Sequence, residues 1–134
     1  MKRLKEERGF TLIELIVVIT ILGILVALVV PSVAGYTDRA KVKATLADGK
    51  NLQTALLLYR AEKGDYPEPA TGNTTAKWTK LRQDLQDYIA LPATPSNYTF
   101  QDYTLTDGFT VTLKAKDKNT TTVTIKPSEV TEGQ

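Results

Sequence analysis

The sequence predicts an α+β protein. A long N-terminal α-helix, with a membrane half and an amphipathic half, packs on a small C-terminal antiparallel β-sheet of three to four strands, with a short second helix between them. Three observations carry this: an apolar run from Phe10 to Val30, apolar residues at helical spacing from Val42 to Tyr59, and a change to a period of two beyond Tyr98.

Between Phe10 and Val30 only Thr11, Glu14 and Thr20 carry polar side chains. A helix of that length rises roughly 31 Å, close to the hydrocarbon thickness of a bilayer. Lys2, Arg3, Lys5 and Arg8 stand before the run against Glu6 and Glu7, so the leader holds the chain's net charge of +2 and leaves 13 charges of each sign behind it. The positive-inside rule then sets the N-terminus in the cytoplasm and sends the rest outward. The pI of 8.8 reflects the leader and gives no reason to infer a nucleic-acid partner. A secretory cleavage site after the run is poor, since Val29 to Ala34 is interrupted by Pro31.

Pro31 lacks an N–H and is expected to kink the helix rather than end it. Val42, Leu46, Gly49, Leu52, Leu56 and Tyr59 form one stripe, with Lys41 at its edge and Arg60 near its middle, while Arg39, Lys43, Asp48 and Lys50 point away. Gly64 fits the left-handed position after a helix, and Pro67 follows. Glu68 to Lys77 reads as a loop by composition. Trp78, Leu81, Leu85, Tyr88 and Ile89 recur at helical spacing up to Pro92, giving a short helix that packs its Trp against the long one; a Trp held out for a ligand is the lesser alternative. Phe109, Val111, Leu113 and Ala115 alternate with polar residues, as do Val123 and Ile125, and Asp107-Gly108 and Asp117-Lys118-Asn119 are turns. Pro127 ends the last strand and Ser128 to Gln134 reads as a polar tail.

The composition excludes several chemistries. The chain has no Cys and no His, which removes disulfides, the usual zinc ligands, the thiol nucleophile and the commonest general base. With Ser only at Ser32, Ser96 and Ser128 and no His, a Ser-His-Asp triad is ruled out, and no enzyme activity is expected. Asp84, Asp87, Asp102, Asp107 and Asp117 lack the dense spacing of a calcium loop and read as solvated or turn carboxylates, so no cofactor is expected. Asn73, Asn97 and Asn119 each begin an acceptor tripeptide for glycosylation, read here as chance matches in a Thr-rich chain.

One carboxylate is out of place. Glu14 sits in the apolar run, where a charge marks either a partner or a side chain near enough to the helix end to reach the headgroups. Gly9-Phe10-Thr11-Leu12-Ile13-Glu14, behind a basic leader and ahead of an apolar helix, resembles the cleavage and methylation motif of type IV prepilins and type II secretion pseudopilins. The run from Val29-Val30-Pro31 to Gly64-Asp65-Tyr66-Pro67 is similar to the major pseudopilin of type II secretion and to several non-proteobacterial type IV pilins.

The resemblance implies a peptidase that cuts after Gly9 and N-methylates Phe10, and a Glu14 that neutralises a neighbouring subunit's amine; a turn glycine is the plain alternative at Gly9. It divides the chain into a leader, 1–9, which is removed; a membrane or filament-core helix, 10–34; the amphipathic half of the helix, 35–64; and a globular part, 65–134. It places the protein in the cytoplasmic membrane first and in a periplasmic or extracellular filament afterwards. Its partners would be other copies of itself, the prepilin peptidase and N-methyltransferase, membrane lipid, and an assembly platform with its motor ATPase. Such filaments carry calcium in the pseudopilin family through a C-terminal loop whose pattern is not matched here. The leading reading is a type IV pilin-like subunit, by a small margin; a major pseudopilin is the alternative, and a monomeric tethered binding module a further one. Glu14 and Pro31 are the expected assembly residues.

Overall fold

A computed structural model describes residues 9–133; the leader read at Met1 to Arg8, and Gln134, lie outside the described residues, as do the side chains of Val30, Pro31, Ser32 and Ala34. The element order is α1 (Leu12–Lys63), α2 (Thr74–Asp84), β1 (Tyr98–Thr104), β2 (Thr110–Ala115), β3 (Thr122–Ile125) and β4 (Val130–Gly133). The chain divides into two compact units after Tyr36, and α1 contributes to both.

In the first unit α1 is apolar all round. Leu12–Val29 is long and apolar enough to cross a membrane, and none of it is buried within the structure. The Thr20 hydroxyl donates to the Ile16 carbonyl at 2.7 Å, so this polar group is satisfied inside its own helix, as a hydrocarbon environment demands.

In the second unit α1 buries Thr45, Gly49, Leu52, Ala55 and Leu56, with Leu46 and Tyr59 packed at the margin. The four strands form one antiparallel sheet in the order β1-β2-β3-β4. Its inner face supplies Tyr98, Phe100, Tyr103, Val111, Leu113, Val123 and Ile125 to the same core. Each fully buried apolar side chain of this kind contributes about 1.5–3 kcal/mol. Period-two alternation breaks between Phe100 and Tyr103, where the register slips by one residue. That bulge returns Tyr103 to the inner face opposite Val111. At Gly49 α1 lies close against the sheet: a Cβ there would lie 3.2 Å from Ile125 Cγ1 and 3.4 Å from Val130 Cγ1.

The connections follow their residues. Gly64 has φ 93° and its N–H returns to the Arg60 carbonyl at 2.8 Å, ending α1 as expected. Tyr66 then stacks edge-on against Phe109 at 4.9 Å, and the buried Tyr103 hydroxyl donates to the Pro67 carbonyl at 2.7 Å. The Gly64 to Pro67 run thereby turns the chain and pins it to the sheet. Asp107 and Gly108 both have positive φ in the β1–β2 hairpin, and a Cβ on Gly108 would lie 2.8 Å from Pro127 Cγ, so only glycine fits.

Four expectations are corrected and one, for Trp78, is completed. The loop read at Glu68 to Lys77 ends early, because Asn73 caps α2 by accepting the Ala76 N–H at 3.0 Å. Trp78 lies in the same core as Leu52 and Leu56 of α1 and packs on β1 through Phe100 and Tyr98, with ring centroids 5.1 and 6.2 Å away. Residues 128–134 are no loose tail: Val130 to Gly133 pairs with β3. Asp48 does not point away but is half-buried. Arg60, read near the middle of the buried stripe, is exposed, with its guanidinium 5.0 Å over the Tyr66 ring.

Candidate processing and assembly site

The residues Gly9 to Glu14 form the start of α1. Gly9 and Phe10 are exposed ahead of the helix, and nothing lies within 4 Å of where a Gly9 side chain would begin. Thr11 is the N-cap, since its carbonyl takes the first helical bond from the Leu15 N–H at 3.3 Å. The Thr11 hydroxyl oxygen accepts the Glu14 N–H at 3.3 Å, and Glu14 Oε2 accepts the Thr11 N–H at 2.8 Å and the Thr11 hydroxyl at 2.9 Å. This is a reciprocal capping box, which satisfies otherwise orphaned donors and sets a carboxylate at the positive end of the helix dipole.

Glu14 therefore has a partner inside its own chain, the Thr11 N–H, one residue from the Gly9–Phe10 peptide. Sequence reasoning passed over Thr11, although Thr-x-x-Glu ahead of an apolar run is the signature of this cap. Pro31 lies within α1, far along the same helix from this end.

The other singled-out polar residues do not converge on this end. Asp84 pairs with Lys80 at 2.6 Å, Asp102 pairs with Lys77, and Asp107 is exposed in its turn. Lys77 holds the Asp102 carboxyl below its usual range. Asp117 is nearly buried and accepts the N–H and hydroxyl of Thr121, both at 2.8 Å. Burial pushes its carboxyl up, but these bonds with other backbone N–H groups outweigh it, and the net shift is downward. Among the described residues no group of three or more Asp, Glu, His or Cys is arranged to hold a metal ion. Asn73 is used as a helix cap and Asn97 as a carbonyl acceptor for the Lys116 N–H at 2.8 Å; Asn119 is exposed.

Comparison with known proteins bears on the helix start. Residues 4–30 match the family described as the prokaryotic N-terminal methylation motif, which covers the leader from Leu4 on, with Gly9, Phe10 and Glu14. The chain carries the N-terminal methylation motif at its helix start. Beyond the motif it is similar to proteins named type II secretion system core protein G. In Pseudomonas aeruginosa the identity is 46% over 51% of this chain and 48% of the relative. In Klebsiella michiganensis it is 39% over 69% and 57%, and in Escherichia coli 32% over 77% and 65%. The chain thus spans about half to two-thirds of the length of these relatives. No solved structure matches it. Of the two filament readings left open by the sequence, these relatives favour the pseudopilin over the type IV pilin.

Proposed function

We propose that this chain is a pseudopilin: a structural, non-enzymatic subunit of a type II secretion filament, held in the cytoplasmic membrane by α1 until it is assembled. The observation that carries the reading is the prepilin motif set on the capped start of a fully exposed apolar helix, in a chain whose relatives are named for type II secretion. On this reading the leader stays in the cytoplasm and the second unit lies outside. The prepilin peptidase cuts after Gly9 and methylates the new Phe10 amine. Glu14, already placed at the helix start, then stands within a few residues of that cation and of the same cation on a neighbour. The α1 helices of successive copies would pack together in the filament core, with Pro31 adjusting the helix where it leaves the bilayer. No cofactor is assigned a part.

The test is to shear producing cells, pellet the fibres, and take the intact mass and N-terminal sequence of this chain. A product beginning at N-methylated Phe10 in a pelletable fibre supports the reading, and loss of exoprotein secretion on deletion separates a pseudopilin from a pilin. A chain that keeps its leader, or is cut but stays wholly in the membrane fraction, refutes it in favour of a tethered module.

A further inference from the structure

Five described carboxylates are partly or fully buried, and four have partners in the chain. Asp38 faces Lys41 at 3.5 Å, Asp84 faces Lys80, Asp102 faces Lys77, and Asp117 is held by Thr121. Asp48 differs. It is half-buried on the inward margin of α1, and among the described residues it takes no hydrogen bond and makes no ion pair. Burial alone holds its carboxyl above the usual range.

Its neighbour is equally unpartnered. Tyr98 is only 3% exposed, it feels the Asp48 charge, and its hydroxyl takes no hydrogen bond among the described residues. Among the described residues no fully buried side-chain polar atom is left without a partner, so that hydroxyl is the tip of Tyr98 that reaches the surface. Asp48 lies on α1 and Tyr98 on β1, at the seam between these two elements. One turn back along α1, Thr45 closes the seam by donating to Lys41 O at 2.8 Å and Asn97 O at 3.4 Å.

The complement lies on the same molecule but out of reach. Lys43, Lys50, Lys118 and Lys126 are exposed and pair with no carboxylate among the described residues. Lys50 is two positions from Asp48, a spacing that does not bring side chains together on a helix.

We propose that Asp48 seats a lysine ammonium from a second copy of this chain, a contact made only on assembly. This rests on the filament reading above. A carboxylate already stripped of part of its water loses less on docking than a fully solvated one, and interacts more strongly with an arriving cation than an exposed pair would. It also penalises any docking that buries it without a cation, which fixes the register of neighbours.

The experiment uses sheared fibres of the full chain, grown from mixed ¹⁵N-labelled and unlabelled subunits and treated with a zero-length carbodiimide cross-linker. The expected result is a cross-link joining Asp48 to a lysine of a different copy, present in fibres and absent from the detergent-dispersed chain. Asp48→Asn should give a several-fold loss of pelletable fibre while the dispersed chain melts at or above the wild-type temperature. Wild-type fibre yield in Asp48→Asn, cross-links confined to other carboxylates, or a lowered melting temperature in that variant each overturn the proposal. Absence of any wild-type fibre overturns the filament reading itself.

Discussion

Gly49 offers the sharpest test of how α1 is seated on the sheet. Replacing a helical Gly by Ala gains up to about 1 kcal/mol from reduced backbone entropy in the unfolded chain. Here the added Cβ would meet Ile125 Cγ1 at 3.2 Å, Ile125 Cδ1 at 3.3 Å and Val130 Cγ1 at 3.4 Å. Contacts below the optimum of about 3.5–4.0 Å must be relieved by moving Ile125, and mild overpacking of this kind costs about 1 kcal/mol. The two effects nearly cancel, so Gly49→Ala alone should leave stability close to wild type. Ile125→Val removes the Cδ1 methyl and by itself costs about 1 kcal/mol. In that background Gly49→Ala should recover part of the loss, because the Cδ1 contact is gone and the new methyl fills its space, while the Cγ1 contact remains. The expected coupling is up to about 1 kcal/mol in favour of the pair, and Gly49→Leu alone should destabilise by about 1–3 kcal/mol. The single Trp, Trp78, is 5% exposed in the core and reports unfolding by fluorescence. Urea titrations of the four cycle members would measure the coupling. Equal effects of Gly49→Ala in both backgrounds, or wild-type stability in Gly49→Leu, would refute this packing.

Three further outcomes are expected. Tyr103→Phe removes the donor to the buried Pro67 carbonyl and should cost about 1–2 kcal/mol in the same urea titration, with no loss of apolar contact. In alkali, Tyr98 is pushed up to about 12, first by burial and then by the Asp48 charge, while an unfolded tyrosine titrates near 10. Its contribution is full below about pH 10 and is lost as pH rises towards 12, so the urea midpoint should fall across that window and fall less in Tyr98→Phe. Thr11→Ala opens the capping box, whereas Thr11→Ser keeps both bonds. Hydrogen exchange at the Glu14 amide in the detergent-dispersed chain should accelerate in the first variant and stay near wild type in the second.

The parts of the fold that were legible in the sequence are those where one residue type has one physical reason. Gly64 ends α1 and Asp107-Gly108 turns the first hairpin because few other residues tolerate positive φ. The inner faces of β2 and β3 followed from strict alternation. β4 was missed because an edge strand needs little burial: Val130 alone packs against the core, while Thr131, Glu132 and Gly133 are exposed. The start of α2 was hidden in a Thr/Asn cluster whose first residue is a cap. Trp78 was placed in the core correctly, but its packing on Phe100 and Tyr98 of β1 could not be read, since periodicity says which side of a helix is apolar and not what covers it. At the candidate site the motif residues Gly9, Phe10 and Glu14 could be read directly, while the role of Thr11 needed the hydrogen-bond geometry.

The two units pose opposite problems of burial, and this bears on where the specificity of assembly resides. The second unit closes a core of its own, whereas Leu12–Val29 covers none of its apolar surface. Lipid can cover it, and so can the same helices of other copies, but lipid tails are as apolar as leucine side chains. Moving α1 from lipid into a helical bundle therefore gains little from the hydrophobic effect. On the filament reading the preference for the assembled state has to come from elsewhere: from work done by the assembly machinery, from close packing of helices, and from polar groups that are better satisfied among copies than alone. Glu14 is already bonded to Thr11 within one chain, so an arriving amine adds to a satisfied carboxylate. Asp48 is the group left wanting, and a contact that completes it distinguishes a correctly seated neighbour from one that merely covers apolar surface.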